Sequence, residues 1–105
     1  MSNHTNENAS YRRAVELLEA DLENEMVALE PTLGQCFGFN EVAKDVWRAL
    51  EVPQSFANLK SGLMDQYDVS EAQCAADLSE LLDDMVASKL IERVDRGAPG
   101  DASSQ

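Results

Sequence analysis

The chain has 105 residues, 44% of them hydrophobic, and carries 20 Asp and Glu against 8 Lys and Arg for a formal net charge of −12. This length supports one domain with one modest core, and the acidic excess repels phosphate backbones and anionic headgroups, which argues against nucleic-acid and membrane partners. No apolar run approaches a membrane span and no charged-then-apolar signal region opens the chain, so a cytoplasmic location is expected.

The opening MSNHTNENAS (1–10) and the closing GAPGDASSQ (97–105) hold too few apolar groups to offset the entropy of ordering them, and are expected to be disordered tails around a folded domain at 11–96. His4, the only histidine, sits in the first tail. Cys36 and Cys74 fit no CxxC or zinc-ligand spacing and read as reduced, buried thiols. With neither a nucleophile–base constellation nor a ligand cluster, no enzyme, metal or cofactor is expected.

The segment RRAVELLEADLENEMVALEP has the Glu, Leu and Ala content of one helix. However, ENE interrupts it, Met26 to Leu29 is a short apolar burst, and Pro31-Thr32-Leu33-Gly34 is a turn with Pro at its first central place. Gln35 to Phe39 then alternates Gln35, Phe37 and Phe39 against Cys36 and Gly38, the period of a strand. Three strands in two hairpins are expected here.

Helices follow. Asn40 can cap a first one that gathers Val42, Ala43, Val46, Trp47 and Leu50 on one face before Pro53 stops it. Ser55 can start a second, burying Phe56, Leu59, Leu63, Met64 and Tyr67. Ser70 and Gln73 form a capping-box pattern for a third, from about 71 to 90. On that helix Leu81, Cys74, Met85 and Leu78 take one flank, and Leu82, Ala75, Val86, Ser79 and Ala72 the other. The apolar or small arc spans roughly 180°, wider than the stripe of about 100° that one core contact requires.

VALEPTLGQCFGFNEVAKDVWRAL and YDVSEAQCAADLSELLDDMVASKLIE together resemble the PqqD-like proteins, small winged-helix domains that recognise precursor peptides in ribosomal peptide natural-product pathways. The likeness lies in an apolar strand, a turn, an aromatic-Gly-apolar-Asn segment, a helix with a V-x-x-x-W-like pair, then Tyr-Asp-Val and a capped helix ending Lys-Leu-Ile. It covers about residues 15 to 94. LENE stands where the family often has an Arg- or Gly-rich turn, and the first strand, VELLEADL, is unusually helix-like.

The resemblance implies an α+β winged helix-turn-helix fold, a three-stranded antiparallel sheet followed by three helices (βββααα), with the third strand an open edge. It implies a non-catalytic adaptor. The leader region of a precursor peptide would add to that edge, in the groove against the third helix, and be presented to a modifying enzyme or leader peptidase; the product class, lasso, radical-modified or other, is left open. An unpaired edge offers N–H and C=O groups to an extended peptide. The expected peptide-binding residues are therefore Gln35, Cys36, Phe37, Gly38 and Phe39 on the strand, facing Ala72, Ala75, Ser79, Leu82 and Val86 on the helix.

Other readings have less support. A dimerising winged-helix regulator or interaction module would use the same wide arc as an interface; the oligomeric expectation is a monomer or weak dimer. DNA binding by the third helix is disfavoured, because Glu71, Asp77, Glu80, Asp83 and Asp84 outweigh Lys89 there.

Overall fold

The computed structural model describes residues 9 to 95. The chain runs β1 (Ala9–Arg13), β2 (Leu18–Leu22), β3 (Glu25–Glu30), β4 (Gln35–Phe39), α1 (Glu41–Ala49), β5 (Gln54–Ser55), α2 (Phe56–Gln66), α3 (Glu71–Ala87) and β6 (Ile91–Asp95). It is an α+β fold. The antiparallel sheet β2-β3-β4, followed by three helices, is the arrangement expected from the sequence.

A second antiparallel sheet, β5-β1-β6, was not expected. β1 pairs with β6 from Ala9↔Asp95 to Arg13↔Ile91, and Arg12 and Glu92 form an ion pair at 2.9 Å across that ladder. Ala9 and Ser10, assigned from sequence to the first tail, thus belong to a strand, and Ala9 is buried. The remaining expected tail residues, 1–8 and 97–105, lie outside the described residues.

Each helix starts where a side-chain oxygen meets an orphan N–H. The Asn40 Oδ1 accepts from Ala43 N (2.8 Å), the Ser55 Oγ from Asn58 N (3.0 Å) and the Ser70 Oγ from Gln73 N (3.2 Å). The reciprocal half of the expected capping box is not made, because the Gln73 amide donates forward to Asp77 at 2.9 Å. α3 stops three residues short of its expected end. Leu90 N reaches back to Met85 O (3.0 Å) and Lys89 N to Val86 O (2.9 Å), with Lys89 at φ 67°. This is a Schellman stop built on a non-glycine residue, and Leu90 is buried as its apolar partner. Met64, expected inside, is exposed on α2.

The core lies between the inner face of β2-β3-β4, the helices and the second sheet, with Trp47 at its junction. Trp47 is fully buried. Phe39 of β4 meets it edge-on at 5.9 Å and 69°, the Arg13 guanidinium lies 4.2 Å from its ring centroid, and its Nε1 donates to Glu19 Oε2 of β2 at 2.8 Å. Arg13 also donates twice to the Trp47 carbonyl, at 2.6 and 3.2 Å. One side chain therefore ties both sheets to α1.

β2 is fixed to α1 by charge. Asp21 Oδ1 lies 2.7 Å from Arg48 Nη2 and 3.2 Å from Lys44 Nζ. Lys44 also donates to the carbonyl of Glu23 (3.0 Å), at φ 42° in the two-residue β2–β3 turn. The hydrogen bonds from Arg48 and Lys44 hold the Asp21 carboxyl below the usual carboxylate range.

Trp47→Ala should destabilise the fold by about 3–5 kcal/mol, the range for truncating a buried large aromatic; urea unfolding monitored by circular dichroism will measure it, and a loss near zero contradicts the junction. Because Asp21 titrates lower when folded than the roughly 3.9 of a free Asp, its stabilisation is complete above about pH 4 and is lost as pH falls through the folded value. The gap in thermal midpoint between the parent and Asp21→Asn should therefore be widest at neutral pH and narrow as the pH falls below about 4. A gap that does not change with pH would contradict this assignment.

Candidate functional site

The loop before β4 is set by Glu30. Its carboxylate accepts from Leu33 N (2.6 Å) and Thr32 N (3.1 Å), its carbonyl accepts from Gly34 N (2.8 Å), and Gly34 takes φ 73°. Those backbone donors, Leu33 first, hold the Glu30 carboxyl low. The strand that follows is an edge. β4 pairs with β3, and its other side is unpaired among the described residues.

Which groups point to that open side follows from one missing hydrogen. Opposed residues in an antiparallel ladder alternate between pairs that exchange both hydrogen bonds and pairs that exchange neither. Were Glu30↔Gln35 a non-bonded pair, the next bonds would join residues 31 and 34, and Pro31 has no N–H. Glu30↔Gln35 is therefore a bonded pair, and so are Ala28↔Phe37 and Met26↔Phe39. By the same alternation, Cys36 and Gly38 turn their N–H and C=O toward the free edge.

Beside this edge lies a groove of about 170 Å³. Its strand wall is Phe37, Gly38 and Phe39; its helix wall is Leu81, Asp84 and Met85 of α3 with the C-cap Ser88, and Ala43 and Leu90 complete the lining. Phe39 is buried against Trp47 and Phe37 is half-buried, whereas Gln35, Cys36 and Gly38 are exposed. A Cβ built on Gly38 would meet nothing within 4 Å, so the unliganded chain does not itself need glycine there and the space above it is free.

The helix residues expected at this wall are elsewhere. Leu82 is fully buried, Ala75 and Val86 pack half-buried against the core, Ser79 is half-buried and Ala72 is exposed; none of the five lines the groove. The wide arc of α3 was legible, but its opposite flank, carrying Leu81 and Met85, turns to β4. In the sequence Asp84 belongs to the acidic face of the helix, a solvated face that could attract a basic partner, and nothing singles out Ser88.

Cys36 is exposed, contrary to its expected burial, because β4 turns it to the outer face of the sheet. Cys74 is buried, in a separate apolar depression of about 160 Å³ with Val42, Leu63, Tyr67 and Val69, and burial pushes its thiol up. At that depression the Tyr67 hydroxyl donates to Asp45 Oδ2 at 2.6 Å, and this bond, reinforced by burial, raises the phenol well above its ordinary range. Among the described residues no cluster of His, Cys, Asp and Glu suits a metal, and no helix is long and apolar enough to cross a membrane.

The model of the family described as coenzyme PQQ synthesis protein D (PqqD) matches residues 25–91. The chain belongs to the PqqD family. The match opens at the first residue of β3 and closes at the first residue of β6, so β1 and β2 of this PqqD-family chain lie outside it. Among solved structures, the fold is similar to that of TbiB1 in complex with the TbiA(beta) leader peptide, with a TM-score of 0.68 and 22% identity over 77% of this chain and 94% of that one. No curated protein matches the chain.

In an alkaline titration followed by tyrosine absorbance, Tyr67 should stay protonated well above the ordinary phenol value of about 10. Asp45→Asn should bring its ionisation down; an unchanged curve would separate the two groups.

Proposed function

We propose that this chain is a non-catalytic adaptor that binds the leader segment of a ribosomally made precursor peptide by strand addition at β4 and presents it to a modifying enzyme or leader peptidase. The observation that carries the reading is an unpaired strand edge, with Cys36 and Gly38 offering backbone groups, beside an apolar groove. Main-chain bonds give such an edge affinity for any extended peptide, and side-chain pockets supply the choice among peptides. Membership of the PqqD family and the likeness of the fold to TbiB1, solved in complex with a leader peptide, support the same reading.

In this reading Phe37 and Phe39 form the floor, Gly38 admits the guest backbone, and Leu81 and Met85 form the wall. Asp84, at the groove, attracts basic leader residues. The work requires no cofactor, and a precursor fresh from the ribosome is met in the cytoplasm.

Titration with the leader of the precursor encoded beside this chain should saturate by tens of micromolar, a generous ceiling for a one-strand interface; no saturation there sinks the proposal. Gly38→Pro removes an outward N–H and should abolish binding, and Leu81→Asp should weaken it at least tenfold. Asp84→Ala should alter mainly on-rate and salt dependence.

A further inference from the structure

Nothing in the free chain calls for a glycine at position 38. A glycine inside a strand gives up more conformational freedom than any other residue and leaves its neighbours no side chain to pack on. Gly34 takes a positive φ but Gly38 does not, and a Cβ built on Gly38 would meet nothing within 4 Å. Its outer face is a bare patch in the middle of β4. Val27, directly opposed to it on β3, is 42% exposed. Ala20, next in the same row on β2, is too short to cover Val27. A guest strand supplies the use that the free chain lacks.

The register of that guest is set by β4. Both existing pairs in this sheet are antiparallel, and a leader strand added in the same sense meets the N–H and C=O that Cys36 and Gly38 turn outward. The guest residues facing Cys36 and Gly38 then exchange both hydrogen bonds with them and place their side chains on the outer face. The guest residue facing Phe37 turns its side chain the other way, into the groove. What faces Gly38 therefore meets an empty floor with Val27 beyond it. Val27↔Gly38 is a non-bonded pair, the closer kind, so the guest Cα lies roughly 10 Å from the Cα of Val27. A ring laid over the glycine spans that gap, whereas a branched aliphatic side chain stops short of it. Aromatic residues opposite edge glycines shield bare backbone in this way.

We infer that the outer face of Gly38 is an aromatic subsite: the leader this chain takes carries Phe, Tyr or Trp at the residue facing Gly38, with the ring over the glycine and against Val27. This rests on the adaptor reading above and adds a second criterion to it, on the opposite face of the sheet from the groove. The leader is gripped from both faces. Its outward aromatic is followed by a residue that enters the groove beside Phe37, and the main-chain bonds alone would choose neither. Proline is barred at the aromatic position and two residues after it, since both residues donate an N–H to β4.

The test uses the full chain and the leader of the precursor encoded beside it. Replacing each leader aromatic by Ala in turn should find one whose loss weakens binding about fivefold or more. In Val27→Ser, which removes the far contact, and in Gly38→Ser, which stands a hydroxyl under the ring, that penalty should shrink to under about twofold, a coupling that the double-mutant cycle isolates. N-methylation of the same aromatic residue should abolish binding, because its N–H donates to β4; an aromatic lodged in the groove would face Phe37 and tolerate the methyl group. An NMR titration of the parent needs no variant to fold, and in it ring currents should move the Val27 methyl and Gly38 Hα resonances upfield. A leader that saturates β4 with Val27 unmoved, that tolerates the N-methyl group, or that pays the same penalty in parent and variants overturns the inference and leaves the adaptor reading standing. No saturable shift along β4 sinks both.

Discussion

The fold depends on the burial of one indole between two sheets that do not share a strand. Trp47 is gripped by Arg13 of β1 from above, by Glu19 of β2 at its N–H and by Phe39 of β4 at its edge. A buried indole whose N–H is satisfied keeps its apolar gain without a desolvation penalty. Since Arg13 also holds the Trp47 carbonyl, the position of β1 and that of α1 are set by a common group. Phe39, the last residue of β4, is the point where this junction touches the candidate site. The free edge is therefore part of a strand whose end is anchored in the core and whose remainder is open.

β2 contributes little apolar burial of its own, as all five of its residues are exposed. It is held by its ladder to β3 and by Glu19 and Asp21, which reach Trp47, Arg48 and Lys44. Surface ion pairs of this sort are individually weak, but here they have a directional effect. They keep acids inward and leucines outward, fixing a register that hydrophobic burial would oppose. Such a local conflict between pattern and environment is characteristic of functional surfaces.

β4 lies at the boundary of two faces and an edge, and each does something different. Its inner side chains, Phe37 and Phe39, belong to the groove and core; the Cys36 side chain and the bare position of Gly38 belong to the exposed sheet face. Its unpaired backbone groups come from Cys36 and Gly38 as well, through the parity that Pro31 imposes. Exposed edges risk pairing with unintended chains. The strong negative charge of this molecule repels its own copies, and five residues is a short template.

The sequence by itself determined the local events: Asn40, Ser55 and Ser70 as helix starts, the Pro31–Gly34 turn, β4 from Gln35 to Phe39, and an α3 with more apolar arc than one contact uses. Each rests on hydrogen bonds or periodicity within a few residues, which a linear reading sees. Tertiary structure alone decided that β1 pairs with β6, some eighty residues away, since such pairing is selected by what both strands cover and leaves little local trace. It also decided that Leu81 and Met85, rather than Ala75 and Val86, turn to β4, and that Cys36 faces out. A half-circle of apolar residues fixes that a helix is buried but not its rotation, which is set by the shapes packed against it.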